Sequence, residues 1–275
     1  MTHAILMTVY KDPQLINFII NLYPDEFYIY IYIDKKSYIK PEDLIMRKRM
    51  FIYKEYTVNW GGVNHFRAML LLLKHAVKNQ CDYYHWVTGQ DFPLSPELFD
   101  KKITEGYSYL EYYKLKESDA ALRYFQRYGL YDFLDAKNKY QQPIINIINR
   151  IQDHFHYTRP FRDYGLLYAG SGYSTLYKDD AQILLHEFPH WDKFYRFTFC
   201  CEESIIQTIL INNARKDYII NNNLRYIEWN KPWNSDIPPR ILTECDYDMI
   251  KASNALFCRK IDRHISEGLI AKLLS

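Results

Sequence analysis

Cysteine pairs with the spacing of a metal or redox site are missing from this sequence. Its five cysteines form no CxxC pair and no cysteine–histidine zinc pattern: Cys81, Cys200, Cys201, Cys245 and Cys258. Their number is odd, and a chain of 275 residues can bury a core without disulfides. We therefore expect free thiols in a reducing compartment.

Long apolar segments are also missing. The most apolar run, Ala68 to Val77, contains Lys74 and is too short to span a bilayer. The N-terminus has no basic segment followed by an apolar one, because Ala4–Val9 has the pattern of a buried strand. These features predict a cytoplasmic protein and leave peripheral attachment at the inner face of the membrane open.

An excess of one charge is lacking as well. The net charge is +2, and no basic stripe runs along the chain, so nucleic acid is not an expected partner. The sequence contains no P-loop, no GxGxxG and no GxSxG motif. Any cationic binding site must therefore be local.

The first half of the chain alternates strand and helix patterns. Strand patterns lie at Ala4–Val9, Phe27–Ile33, Met50–Tyr53 and Tyr83–Val87, a helix begins at Asp12–Pro13, and another covers about 63–78 after Trp60-Gly61-Gly62. This order predicts an α/β fold with a mostly parallel central sheet flanked by helices. Ligands of such sheets bind beyond the carboxyl ends of the strands.

The second half continues without a linker or repeat. Strand patterns lie at Tyr107–Leu115, Leu166–Tyr177, Arg225–Trp229 and Leu256–Cys258, and helical patterns at Pro143–His154 and from about Asp179, Glu203, Asp246 and Asp262. A single domain over residues 1–275 is the simplest interpretation. The 27 tyrosines fit half-buried strands, but they could also stack on sugar rings, and composition does not separate these uses.

The loop after the fourth strand offers one carboxylate, that of Asp91. Hard cations require several oxygen ligands, so we expect no catalytic metal there. A second acidic motif, Asp246-Tyr247-Asp248, stands at a predicted helix start, where N-capping explains it better. Without a metal, Arg240, Arg259 and Lys260 are the candidates to neutralise a phosphate, although such side chains are more often solvated surface charges.

Three further sites have both a structural and a functional interpretation. Glu202 and Glu203 precede a helical run, where acids stabilise the helix dipole or, alternatively, one of them acts as a general base. Trp191 could raise the pKa of that base and stack on sugar, or belong to the core.

Asp34, after the second strand, could cap the strand or accept a hydrogen bond from a nucleobase. Gly170 and Gly172 indicate close backbone approach to a ligand, or a bulge.

Taken in order along the chain, these segments resemble the Core-2/I-branching β-1,6-N-acetylglucosaminyltransferase family, whose relatives include the peptide O-xylosyltransferases. The most specific matches are Gln90-Asp91-Phe92-Pro93 and the segment 256–262, Leu-Phe-Cys-Arg-Lys-Ile-Asp. The resemblance implies a GT-A fold and inverting, metal-independent chemistry without a cofactor. It assigns about 1–100 to nucleotide binding and about 101–275 to the acceptor and catalysis.

The resemblance also implies roles for individual residues. Glu203 matches the catalytic base that closes a Pro-Asp-Glu triplet, although the triplet here reads Cys201-Glu202-Glu203. Lys260 and Arg240 match the residues that bind the donor diphosphate, and Asp34 matches the residue that faces uracil. Glu111, Glu202 and Trp191 are the candidates for acceptor binding.

The implied function is transfer of a sugar, with N-acetylglucosamine the first choice, from a UDP-sugar to a glycan hydroxyl. The chain lacks the disulfides of animal members, so it resembles a bacterial relative that builds surface polysaccharide. The alternatives are another UDP-sugar donor, such as UDP-xylose, and a non-catalytic sugar-binding protein on the same scaffold. The sequence does not indicate an oligomeric state.

Overall fold

The computed structural model of the chain describes residues 1–116, 119–159, 166–213, 215–229 and 238–275. Its first half confirms the predicted alternation, with strands β1 (His3–Val9), β2 (Tyr28–Ile33), β3 (Met50–Tyr53) and β4 (Tyr83–Thr88), and helices α1 (Pro13–Asn21) and α2 (Asn64–Ala76). Asp12 caps α1 as expected, because its carboxylate accepts a hydrogen bond from the Leu15 amide at 3.1 Å.

The rest of the described chain contains shorter elements. The strands are β5 (Phe92–Pro93), β6 (Ser108–Leu110), β7 (Tyr113–Lys114), β8 (Tyr168–Ala169), β9 (Ser174–Tyr177), β10 (Ile219–Asn221), β11 (Arg225–Ile227) and β12 (Phe257–Arg259). The helices are α3 (Phe99–Lys102), α4 (Ala120–Gln126), α5 (Gln142–His154), α6 (Lys178–Tyr195), α7 (Ile205–Ile211), α8 (Tyr247–Ala252) and α9 (Glu267–Leu274).

Seven of these strands form one sheet, in the order β10-β6-β9-β4-β1-β2-β3. β1 runs parallel to β2 and β4, and β2 runs parallel to β3, so their carboxyl ends share one edge. Strand β9 is antiparallel to both of its neighbours. A second sheet, in the order β11-β12-β5, carries the C-terminal segment beside the loop that follows β4. The predicted mostly parallel α/β sheet is confirmed.

Two predicted strands are wrong in their extent. The Tyr107–Leu115 pattern divides into β6 and β7, and the Leu166–Tyr177 pattern divides into β8 and β9, because in each case the chain leaves the central sheet and pairs in a small separate one. The last helix begins later than expected. Asp262 instead accepts hydrogen bonds from the amides of His264 and Ile265, which makes a turn before α9.

The core lies on both faces of the central sheet. Alternate residues of β1 point to opposite faces: Leu6 packs with α2 and α6, while Ile5 and Met7 pack with α1. Tyr30 and Tyr83 are almost completely buried, which shows that part of the tyrosine content builds the core. None of the described helices combines the length and the apolar character that a membrane span requires.

Gly170 allows the two small strands to approach the β6 end. A β-carbon at this position would overlap the backbone carbonyl oxygen of Glu111. The close approach that the sequence indicated is therefore an approach to the protein's own backbone. Gly172 lies beside the Glu202 side chain, where an added β-carbon would meet the Cγ atom at 3.2 Å.

Replacing Gly170 with alanine should destabilise the fold, because the added methyl group has no space beside Glu111. We expect the free energy of unfolding, measured by urea denaturation, to fall by about 3 kcal/mol. Gly106→Ala is the control: its φ is +87° but no atom lies within 4 Å of the added methyl, so only backbone strain of about 1–2 kcal/mol should appear. Equal losses in the two variants would contradict the steric explanation.

Candidate active site

The carboxyl ends of β1 and β4 open onto a small cleft. Thr8 and Thr88 come from the ends of these strands, and the other walls come from α2, the turn before β9 and the 3₁₀ turn Cys201–Glu203. Polar side chains that line it are Thr8, His65, Thr88, Tyr173, Glu202 and Glu203. The cleft therefore lies where a mostly parallel sheet is expected to bind its ligand.

The glycine turn before α2 fixes the position of the two glutamates. Gly61 has φ +82°, and a side chain on it would overlap the ring of Phe199. Its carbonyl oxygen accepts a hydrogen bond of 2.9 Å from the Cys200 amide, and Cys200 leads directly into the 3₁₀ turn. The Gly170 amide donates to the carbonyl oxygen of Glu203 at 2.8 Å. Backbone contacts thus hold both glutamates at the cleft.

The Glu203 carboxylate has the properties of a general base. Within the described part of the chain it has no hydrogen-bond or ion-pair partner, so its oxygens are available to a substrate. Burial, and after it the negative charges of Glu202 and Glu111, together raise the pKa of Glu203 to about 8. A carboxylate with such a pKa holds a proton more strongly than an ordinary glutamate does.

Glu202 is engaged differently from Glu203. One of its carboxylate oxygens lies 2.9 Å from Nδ1 of His65, whose Nε2 lies 3.4 Å from the hydroxyl of Thr8. Burial lowers the pKa of His65, but the hydrogen bond and charge of Glu202 outweigh that effect, and the pKa is raised overall. Glu202 therefore forms a pair with His65, whereas Glu203 has no such partner in the ranges that the structure describes.

Asp91 faces inward rather than into the cleft. It is completely buried and accepts hydrogen bonds from the amide and the hydroxyl of Thr88 at 2.5 and 2.6 Å. It also pairs with the guanidinium of Arg259 at 3.2 Å. Arg259 in turn lies 4.2 Å from the ring centre of Tyr173. The loop's one carboxylate is thus already compensated by an arginine.

Lys260 follows Arg259 in the chain, but its environment differs from that of Arg259. Its half-buried ammonium group has no hydrogen-bond or ion-pair partner among the residues that the structure describes. Burial lowers the pKa of Lys260, and the positive charges of Lys11, Arg259 and Lys137 lower it further. An ammonium group among other cations is stabilised when an anion binds beside it.

Arg240 lies in the segment next to Lys260, because the Leu242 amide donates to the Lys260 carbonyl oxygen at 2.9 Å. Its guanidinium forms a two-pronged pair with Asp246, at 2.5 and 3.0 Å, and remains about one-third exposed. Asp246 also accepts from the Thr243 amide at 2.8 Å, so it completes a capping box. Asp246 takes part in N-capping, as predicted, but the element that it caps is the 3₁₀ turn before α8.

Asp34 stands at the end of β2, on the same sheet edge as Thr8 and Thr88. One carboxylate oxygen accepts from the amides of Lys36 and Val58, at 3.0 and 3.1 Å. These bonds fix the connection between β2 and the following loops. Among the described residues, the second oxygen has no partner, so it remains available to a ligand.

The three acceptor candidates have different environments. Glu111 follows β6 and is close enough to Glu203 to raise its pKa. Glu202 is paired with His65. Trp191 is 6% exposed and packs in the core with Phe194 and Tyr195 on α6, so its ring presents no open face for a sugar. We therefore assign Trp191 to the core. Residues 117–118 and 160–165 of the middle segment lie outside the described residues.

Several residues that the fold brings to this region are not among the candidates that the sequence predicts. His65, Thr8 and Tyr173 line the cleft, and Lys11 and Lys137 lie near Lys260. They come from separate parts of the chain, and only the position of Thr8 at a strand end and that of Tyr173 beside Gly172 could have indicated them.

The sequence also contains the zinc-binding pattern HExxH at His186–His190, on α6. His186 is 85% exposed and pairs with the adjacent Glu187 at 3.0 Å. In the described ranges, no group of three or more His, Cys, Asp or Glu side chains is arranged to hold a metal ion. The pattern alone therefore does not define a metal site.

Comparison with known proteins identifies the family. The sequence model of the Core-2/I-branching enzymes matches residues 6–251, which include Asp34, Glu203 and Arg240 but end before Lys260. No curated protein matches the chain. The central sheet agrees with the GT-A type of fold, and the family implies a nucleotide-sugar donor and a glycan acceptor. The chain is thus a member of the Core-2/I-branching family of glycosyltransferases.

Proposed function

We propose that this protein transfers N-acetylglucosamine from UDP-N-acetylglucosamine to a hydroxyl of a glycan acceptor, with inversion and without a metal ion. The observation that carries the proposal is the Glu203 carboxylate at the cleft beyond β1 and β4, which has a pKa of about 8 and no partner among the described residues. We further propose a β-1,6 linkage and a role in the synthesis of bacterial surface polysaccharide, both on the resemblance to the family.

The reaction is a single displacement at the anomeric carbon. The acceptor oxygen attacks C1 from the face opposite the diphosphate, and its proton passes to a carboxylate oxygen of Glu203. The bond between C1 and the phosphate oxygen breaks with its electron pair on UDP, so an α-linked donor gives a β-linked product. A positioned base of this kind contributes about 10²–10⁴-fold to the rate.

The diphosphate needs positive charge behind it as it leaves. Lys260 supplies an ammonium group that none of the described residues engages, and its neighbours Lys11 and Lys137 add to the local positive potential. Arg240 assists from the adjacent segment, with its guanidinium held in place by Asp246. Asp91 is already paired with Arg259, which favours charge neutralisation by these side chains over a metal ion at the loop.

The nucleoside occupies the strand edge at Asp34 in this proposal. One carboxylate oxygen of Asp34, which has no partner among the described residues, accepts a hydrogen bond from the N–H of uracil. The other oxygen holds the backbone at Lys36 and Val58 in position. UDP-xylose or another UDP-sugar is the alternative donor. A non-catalytic sugar-binding protein is the alternative function, and the unpaired Glu203 favours catalysis over it.

Glu203→Gln should remove turnover, because an amide cannot accept the proton from the acceptor. We expect kcat, measured as UDP release in the presence of acceptor, to fall by about 10²–10⁴-fold. UDP affinity, measured by calorimetry, should change little. For the unaltered protein, kcat/KM should rise with pH until it levels off above about 8, because the base must be ionised.

Glu202→Gln is the matched control, since it removes the neighbouring carboxylate that pairs with His65. It should retain more activity than Glu203→Gln and shift the pH profile to lower pH, because one negative charge near Glu203 is lost. If Glu203→Gln turned over at the normal rate while Glu202→Gln did not, the base would be Glu202.

Lys260→Ala should weaken the binding of UDP more than that of uridine, because only UDP carries the diphosphate. The expected loss for UDP is about tenfold or more, in keeping with one charge-assisted hydrogen bond. Lys251→Ala, which removes an exposed lysine of α8, should leave both affinities unchanged. Equal losses for UDP and uridine in Lys260→Ala would rule out the phosphate role.

Chelation tests the metal-free mechanism directly. Excess EDTA should leave the rate of transfer unchanged within about twofold, since the side-chain cations and not a divalent ion hold the leaving group. A strict requirement for Mn²⁺ or Mg²⁺, with activity restored on its addition after EDTA, would show that the mechanism is wrong.

A further inference from the structure

A second and larger cleft lies next to the candidate active site. It has a volume of about 580 Å³ and lies between α4, α5 and the segment around Phe199. Phe199 directly precedes Cys200 and the turn that carries Glu202 and Glu203, so the two clefts share this segment. A cleft of this size accommodates a small oligosaccharide.

The walls of this cleft are partly aromatic. The ring of Phe199 packs against Trp60, Tyr124 and Tyr131, with ring centres 4.9–5.4 Å apart. All four residues line the cleft. Flat apolar rings of this kind suit the C–H face of a sugar ring, and the nearby amides of Asn146 and Asn149 can bond to hydroxyl groups.

Its charges are mostly positive. The lining includes Arg127, Lys137 and Arg150 but one described carboxylate, that of Asp153. Asp153 is already engaged by Arg127 at 2.5 Å and by Arg123 at 2.6 Å. Arg150 has no ion-pair partner in the described ranges, and the ammonium group of Lys137 lies over the ring of Trp60, 4.7 Å from its centre.

Lys137 also connects the cleft with the reaction site. Its positive charge acts both on Lys260 and on the thiol of Cys200, so it lies near the diphosphate side and near the segment before the base. A negatively charged ligand that reaches Lys137 and Arg150 would therefore lie beside Phe199, in the segment that leads into the turn carrying Glu203.

We propose that this cleft binds the acceptor and that the acceptor is an acidic glycan, with a carboxylate group held by Arg150 and Lys137. The inference rests on the proposed transferase function, since it names the acceptor of that same reaction. A planar guanidinium binds a carboxylate through two parallel hydrogen bonds, and a lysine adds a point charge. Sugar rings on either side of the acidic residue would contact the aromatic walls.

A panel of matched oligosaccharide pairs tests the proposal. Each pair contains a hexuronic acid oligosaccharide and the same oligosaccharide with its carboxylates reduced to alcohols. We measure binding to the protein saturated with UDP, and transfer from UDP-N-acetylglucosamine. The acidic members should bind about tenfold more tightly or better, and this preference should weaken as salt is raised.

Arg150→Gln should remove most of this preference while the affinity for UDP stays the same. Lys139→Gln is the matched control, because it removes a neighbouring cation that lies over Tyr140 and does not line the cleft. Equal binding of acidic and reduced members, or no binding of either, would overturn the proposal. UDP binding and slow donor hydrolysis are measured in the same samples. They test the proposed transferase function independently of the acceptor.

Discussion

The buried ion pair between Asp91 and Arg259 joins the two parts of the molecule that form the site. Asp91 follows β4 of the central sheet, and Arg259 ends β12 of the second sheet, so their contact fixes one sheet against the other. Removing either charge would leave the other one buried and uncompensated, which is strongly destabilising. Because Lys260 follows Arg259 in the chain, the same ion pair also fixes the position of the Lys260 ammonium group.

Charge is separated across the site although the net charge of the whole chain is close to zero. Glu111, Glu202 and Glu203 form an acidic region, in which burial and mutual repulsion keep a proton on Glu203 more readily than on an ordinary glutamate. Lys11, Lys137 and Lys260 form a cationic region. The acid–base step requires the acidic region, and the departure of the anion requires the cationic region. If the two kinds of charge were interspersed, their electrostatic effects would cancel.

The sequence was a good guide where a single segment carries its own signal. The strands and helices of the first half, the Asp12 cap and the position of Asp34 at a strand end all follow from local pattern. The split of Tyr107–Leu115 into β6 and β7 did not, because it depends on pairing with segments far away in the chain. In the sequence, Trp191 cannot be distinguished from a tryptophan that stacks on a sugar. Only its packing on α6 assigns it to the core.

The fold class, the family and the residue types that could serve as base and as cations are all readable from the sequence, because they follow from local patterns and their order. Which of these side chains are available to a ligand follows only from how the chain packs. His65 engages Glu202 and leaves Glu203 unpaired, Arg259 engages Asp91, and Lys260 remains without a partner among the described residues. The physical reason is that desolvation and pairing depend on distances between segments, which the order of residues does not contain.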